Sequence, residues 1–200
     1  MLGMRAVSGD QWGTSDSGFF AYENDSTDAS WGALVSVPSS HVAPFAKACL
    51  VARESDAADA ANVSVCRTFD GNPPRAQVRR HTGASTSSTS APRFDGLAAE
   101  APAFLRLSVK AAGSGSTVTA SVSRDGKTWL PITTTTLTVP LPIRGASVSS
   151  HSASAKVKAL FTNLARTRDG TTATVTTAAL QQRAIGAGAA GDAFDGVFAR

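Results

Sequence analysis

Charge is scarce in this chain of 200 residues: Asp, Glu, Lys and Arg make up only 17%, against roughly a quarter in ordinary soluble domains. Thr, Ser, Ala and Gly take their place, a composition that suits short strands and small-residue turns better than long helices. No run approaches the roughly 20 apolar residues of a membrane-spanning helix. The opening "MLGMRAVSGDQWG" lacks the apolar core of a secretory signal. The expectation is a protein with no membrane partner: cytoplasmic at synthesis, trimmed, or carried outside within something larger, such as a virion or an extracellular surface.

Other chemistries are missing too. The formal net charge is +4, but the basic residues are scattered and only Arg75, Arg79 and Arg80 cluster, in "RAQVRRH". A nucleic-acid partner would ask for a denser stripe. His41, His81 and His151 lie far apart, and no His/Cys spacing fits zinc. There is no G-x-S-x-G elbow to support a hydrolase triad. "GAGAAG" (186–191) formally matches a dinucleotide fingerprint, but too little chain follows it for the helix and distant acid that binding needs.

What is present is alternation. "WGALVSV" (31–37), "FAKACLVAR" (45–53), "NVSVCRTF" (62–69) and "FLRLSVKA" (104–111) read as strands. In the last, Leu105, Leu107 and Val109 oppose Phe104, Arg106 and Ser108, as in a half-buried antiparallel strand. "TVTASVS" and "KTWLPI" flank Asp125-Gly126, a pair that tolerates the positive φ of tight hairpin turns; the returning strand then makes Trp129 a packed aromatic. "GASTSSTSAP" (83–92) reads as a polar loop. "AKVKALFTNL" (155–164) alternates with a shift near Ala159 that implies a bulge. Short strands spaced by turns, without an amphipathic helix, give an all-β antiparallel double-sheet sandwich or jelly roll.

The two cysteines lie on neighbouring strands. Setting Arg53 opposite Asn62 brings Cys49 opposite Cys66, close enough to bond. Without an export signal, a pair of buried thiols is the favoured reading over a disulfide.

Four blocks, "WGTSDSGFFAY", "FAKACLVARES", "FLRLSVKAAGSGSTVTASVSRDGKTWLPI" and "IRGASVSSHSASAKVKALFTNL", resemble in order those of a bacterial family of concanavalin A-like (laminin-G-like) domains. That family's usual form is "WAKAGLMIRES", "WLRL…SSDGxTW" and "GLAVSSHN…ATFDNV". The resemblance spans about residues 12–164 and implies a concanavalin A-like jelly roll, usually a carbohydrate- or surface-binding accessory. Phe45 stands where the family commonly has Trp, Cys49 where Gly is usual, and Asn163 where Asp often begins "DNV". The strand usually preceding "WGT" is nearly missing. The expected organisation is an N-terminal arm (1–11), the sandwich (12–164) and an Ala/Gly/Thr-rich extension (165–200).

That extension carries few large apolar side chains. Leu180, Ile185, Phe194, Val197 and Phe198 are its candidate anchors, on its own domain or on a neighbouring chain. The expected function is accordingly non-catalytic: a structural or interaction protein docked in a larger assembly, for example as a virion surface or decoration component, either as a homo-oligomer or on a scaffold protein. The alternative is a carbohydrate-binding module acting on extracellular polysaccharide, with Trp12, Tyr22, Trp31, Asp25 and Asp28 as ligand-binding candidates, although large aromatics more often fill sandwich cores. "ENDSTD" supplies Glu23, Asp25 and Asp28 as oxygen donors for Ca²⁺, but the spacing fits no calcium-loop template and a polar turn is the plainer reading; no other cofactor is expected. Glu54-Ser-Asp56-Ala-Ala-Asp59 approaches the carboxylate pattern of glycosidases of this broad fold, yet reads as a solvated turn. His151, in "SSH", is expected to serve a structural hydrogen bond at a strand end.

Overall fold

The computed structural model describes residues 1–36, 43–69, 72–92 and 101–196. Its strands are, in order, β1 (Leu2–Ser8), β2 (Gln11–Trp12), β3 (Ser15–Asp16), β4 (Gly18–Asn24), β5 (Ala29–Ser36), β6 (Lys47–Arg53), β7 (Asn62–Thr68), β8 (Arg75–Arg79) and β9 (Ser87–Ser90). Then follow β10 (Ala103–Ala112), β11 (Gly115–Ser123), β12 (Leu130–Leu137), β13 (Ile143–Ser149), β14 (Ser152–Arg168), β15 (Thr171–Thr174), β16 (Gln181–Ile185) and β17 (Ala190–Asp195). One 3₁₀ turn at Thr177–Ala179 interrupts them.

Two antiparallel sheets stack as a β-sandwich, the fold class read from the sequence. The eight-stranded sheet runs β12-β11-β10-β5-β14-β1-β17, with β15 added to β14; the seven-stranded sheet runs β16-β4-β13-β6-β7-β8-β9. Alternation sends Trp31, Ala33 and Val35 of β5 and Leu105, Leu107 and Val109 of β10 inward, against Ala48, Leu50 and Ala52 of β6 and Val63 and Val65 of β7. Each of the larger of these side chains contributes roughly 1.5–3 kcal/mol by leaving water. A turn forms at Asp125-Gly126, but it is wider than the tight hairpin turn expected: only Gly126 of the pair has positive φ, +72, and the Asp125 carboxylate accepts from the backbone N–H of Lys127 and Thr128, both at 2.8 Å.

Several expectations need correction. Residues 1–11 are not an arm. Leu2–Ser8 is a strand inside the eight-stranded sheet, paired with β14 on one side and β17 on the other, so the strand before "WGT" is present; Leu2, Met4 and Ala6 point into the core, fully buried. The boundary at 164/165 falls within β14. That strand's register shift against β5 lies between Thr162 and Ala165, around Asn163 with φ 54, and not near Ala159. Within the polar loop 83–92, Ser87–Ser90 forms an exposed edge strand on β8. The returning strand of the hairpin begins at Leu130, so Lys127–Trp129 belongs to the turn.

The extension docks on its own domain. β15 pairs with β14, β16 with β4 and β17 with β1, so the tail adds strands to both sheets. Leu180 and Ile185 are buried, and Phe194 lies across Gly3 with Arg5 over its ring. Backbone pairing, which needs no large side chains, is what orders a segment of this composition. His41, Val197 and Phe198 lie outside the described residues.

Cys49 and Cys66 are opposite one another in the β6–β7 register, as the pairing of Arg53 with Asn62 implies. They form a disulfide, not the pair of thiols that was favoured: a directly opposed pair on adjacent strands brings the two sulfurs within bonding reach.

Candidate functional site

The seven-stranded sheet is unusual in that its central strands are buried on both faces: β6, β7 and β13 carry no exposed residue. Across its outer face the register sets rows of side chains. Lys47 lies opposite Thr68, Cys49 opposite Cys66 and then Arg75, and Arg53 opposite Asn62 and then Arg79. An antiparallel sheet ordinarily leaves such a face to water. Here loops roof it, and an ionic cluster holds the roof down.

Asp16, at the end of β3, is the centre of that cluster. Its carboxylate accepts from Arg53 Nη1, from Arg79 Nη2 at 2.8 Å and Nη1 at 3.0 Å, and from Asn62 Nδ2 at 3.2 Å. Both guanidinium groups are buried to 1% exposure or less. Their remaining N–H groups go to loop carbonyls: Arg53 to Ser55 and Ala57, Arg79 to Gly13, Ala58, Ala60 and Ala84. Arg53 also lies over the Phe20 ring at 4.9 Å. Buried charges persist only when paired and fully hydrogen-bonded, and this arrangement satisfies both conditions. It fastens the β2–β3 hairpin and the loops 55–60 and 81–86 onto the sheet.

Beside this anchored roof opens a cleft of about 300 Å³, lined by Asp10, Trp12, Phe45, Lys47, Arg75, Gln77 and His151. Lys47, Arg75 and Gln77 rise from the sheet, with the disulfide between Lys47 and Gln77. Gln77 Oε1 is 3.7 Å from Cys66 Sγ. Asp10 and Trp12 come from the β1–β2 segment, Phe45 from the approach to β6, and His151 from the β13–β14 turn. Lys47 is 3% exposed and its Nζ meets Asp10 Oδ1 at 2.5 Å, with the Gln11 carbonyl at 3.4 Å. Burial pushes the Lys47 ammonium below its ordinary pKa, against the opposing pull of Asp10. His151 Nε2 is 3.7 Å from the other Asp10 oxygen.

Two features mark this cleft as more than packing. Met1, Trp12 and Phe45 are the large hydrophobic residues exposed among the described residues, Trp12 at 43% and Phe45 at 45%; two of the three line this one opening. Phe45 and His151, in edge-to-face contact at 5.7 Å, both hold left-handed backbone, φ 63 and φ 51. A bulky side chain there stores strain, and such strain collects at functional sites.

The sequence candidates divide. Trp12 is in the cleft. Trp31 is core at 1% exposure, and Tyr22 is buried with Phe20, Val51, Ile143 and Ile185 under the roof; neither is a ligand platform. Asp25 is buried and taken up by structure. Burial would raise its pKa, but hydrogen bonds from Thr27 and the guanidinium of Arg168 outweigh that and hold it below the ordinary value, with Arg144 adding to the effect. Asp28 accepts from the Ala111 N–H at 2.8 Å. These two do not converge on a cation, and among the described residues no group of three or more His, Cys, Asp or Glu is arranged to hold a metal. Glu54 accepts from Thr82 and Asp56 pairs with Arg183, away from the cleft. Of Gly186–Gly191, the first four residues form the turn between β16 and β17, with positive φ at Gly186 and Gly188, and Ala190 and Gly191 open β17, so no helix follows. The His151 N–H makes the expected strand-end hydrogen bond, donating to the Gly9 carbonyl at 3.1 Å, while its ring stands at the cleft mouth, 41% exposed.

Trp129, expected as a core or sheet-edge aromatic, is not core but precedes the edge strand β12. It is half-buried on the outer face of the eight-stranded sheet, with Arg106 over its ring at 4.2 Å, at a groove of about 260 Å³ that Leu34, Phe104 and Asn163 also line.

Reading the sequence missed Asp10, Phe45, Lys47, Arg75, Gln77 and His151 as one set. The signals that existed were local. Phe45 and Lys47 alternate with core residues, Arg75 and Gln77 do likewise in β8, and His151 closes the "SSH" block. Nothing local says that these pieces meet.

No protein-family model matches the sequence, and no curated protein does. Among solved structures, a functionally unknown protein from Saccharomyces cerevisiae superposes with a TM-score of 0.58 at 16% identity, over 82% of this chain and 87% of that one. That likeness is one of fold. A scytalido-glutamic peptidase with a transition state analog inhibitor has a TM-score of 0.47 at 14% identity, over 87% of each chain, a likeness too slight to bear on chemistry.

Proposed function

We propose that the protein is a non-catalytic carbohydrate-recognition domain whose ligand lies in the cleft between Trp12 and Phe45. The observation that carries this is that two exposed rings, Trp12 and Phe45, line one opening together with the buried polar side chains of Lys47 and Gln77. Ligand sites combine apolar walls with a few fixed polar groups that set orientation, and aromatic faces with a polar surround suit a sugar, which has both an apolar ring face and hydroxyls. The resemblance to concanavalin A-like accessory domains supports the same reading. Glycoside hydrolysis needs two carboxyls flanking the bond, roughly 5–9.5 Å apart. Asp10 is the one carboxylate lining this cleft among the described residues, and Lys47 holds it. The assembly reading gave the extension its own domain or a neighbouring chain to dock on, and in its described residues that extension pairs with its own sheets.

Glycan-array screening of the intact protein tests the proposal. Binding to a defined set of saccharides is expected, lost by about tenfold or more in Trp12→Ala and in Phe45→Ala, with thermal stability nearly unchanged because both side chains are exposed. An array without binders, or binders indifferent to both substitutions, rejects it.

A further inference from the structure

We propose that the saccharide taken by this cleft is acidic, a uronate-type sugar, and that Arg75 is the residue that reads its carboxylate. This rests on the carbohydrate reading above and names its ligand class.

The charge balance of the lining points there. Lys47 and Arg75 are cationic, and Asp10 is the single carboxylate facing them among the described residues. Asp10 is already engaged by Lys47 at 2.5 Å. Arg75 therefore has no carboxylate within ion-pair reach among those residues, and its Nε is buried without a hydrogen-bond acceptor. A buried donor left unmatched is costly, and the cost is removed when a ligand brings the acceptor. A second such donor is near: the Ser149 hydroxyl, opposite Lys47 in the β13–β6 register, is buried and also unpartnered.

Geometry favours a carboxylate over a bare point charge. A guanidinium presents a planar fork that matches the two oxygens of a carboxylate. Arg75 is carried on a strand whose neighbours on the same face, Gln77 and Arg79, are held at 3% and 0% exposure, so its stem is braced. Trp12 and Phe45 supply ring faces on the rim of the same opening. An acid group at the floor and a sugar face against the rings is the ligand that uses all of these at once. Lys47 adds to the attraction, since its buried ammonium gains from a further anion.

The test uses the intact protein and a panel of uronate-bearing oligosaccharides (galacturonate, glucuronate and mannuronate/guluronate types), each beside its methyl-esterified or neutral counterpart, with calorimetric titration of the hits. Binding of the free-acid form, about tenfold to a hundredfold tighter than its ester and weakened by added salt, is expected. Arg75→Gln should erase that preference while leaving residual binding that still depends on Trp12, and Arg75→Lys should restore it only in part. Circular dichroism and melting confirm that each variant folds. Equal binding of acid and ester, or a preference for acid that survives Arg75→Gln, overturns the inference and leaves the carbohydrate reading standing. Failure of the whole panel together with the neutral array overturns both.

Discussion

The two outer faces of this sandwich are built from the same alternation and have opposite fates. On the seven-stranded sheet, Lys47, Cys49, Val51 and Arg53 of β6 are all buried, because loops fold across them and the buried Asp16 cluster holds those loops. On the eight-stranded sheet several outward positions remain open. Thr117 meets Thr136 at 2.9 Å and Thr119 meets Thr134 at 3.0 Å as exposed hydroxyl pairs, Ser30 meets Ser108 at 2.7 Å, and Trp129 with Arg106 stands over an open groove. The lesson is that the cleft does not come from the sheet itself. It comes from the loops one sheet recruits, which bring Asp10, Trp12, Phe45 and His151 over a floor that strands alone would have left flat.

That contrast predicts a steep gradient of mutational cost. Asp16→Asn should be the most damaging single change, destabilising by about 3–5 kcal/mol in urea denaturation, since it leaves two buried guanidinium groups without their counter-charge. A loss below about 1 kcal/mol would mean that the roof is held by something else. Next comes the disulfide beneath the cleft. Replacing Cys49 and Cys66 together with Ala should cost about 3 kcal/mol, as expected for a bridge across a sequence separation of 17, and reductant should lower the melting temperature of the native protein but not of the double variant.

Acid should weaken the same side of the molecule. Asp25, just past the end of β4, has a native pKa held below the ordinary 3.8. Its contribution to stability is therefore complete above that value and is lost as pH falls through the native one. Unfolding titrations of wild type and Asp25→Asn should diverge above about pH 4 and converge toward strong acid; parallel curves would refute the assignment. The smallest effect belongs to the open face. Thr119→Val and Thr134→Val should each change stability by about 0.5 kcal/mol or less, and a loss of several times that would erase the distinction between the faces.

Much of this fold could be read before any coordinates existed, and for identifiable reasons. Leu105, Leu107 and Val109 opposite Phe104, Arg106 and Ser108 state a half-buried strand in their own order. Asp125-Gly126 states a turn. Arg53 opposite Asn62 states the register that joins Cys49 to Cys66. Each is a local pattern whose consequence is local. The N-terminal strand was misread because Leu2–Ser8 gains its place only by pairing with β14 and β17, both far along the chain. The extension was legible as needing a surface to dock on, but its three strands were not, because exposed Thr, Ala and Gly positions on a sheet edge carry no period-two signature.

The candidate site was the least legible part. Tyr22 and Trp31 were plausible platforms by type, and their burial could not be known without the partner sheet and the roof. What the sequence by itself determined is therefore the period of burial, the corners, and the pairing of neighbouring strands, because these depend on residues close together in the chain. What only the tertiary structure decided is the face on which charge would be trapped and the place where Trp12, Phe45, Lys47, Arg75 and His151 would meet. The physical reason is that burial of a charge and convergence of loops depend on which segments stack in space, and that is set by the competition of whole sheets for a common core.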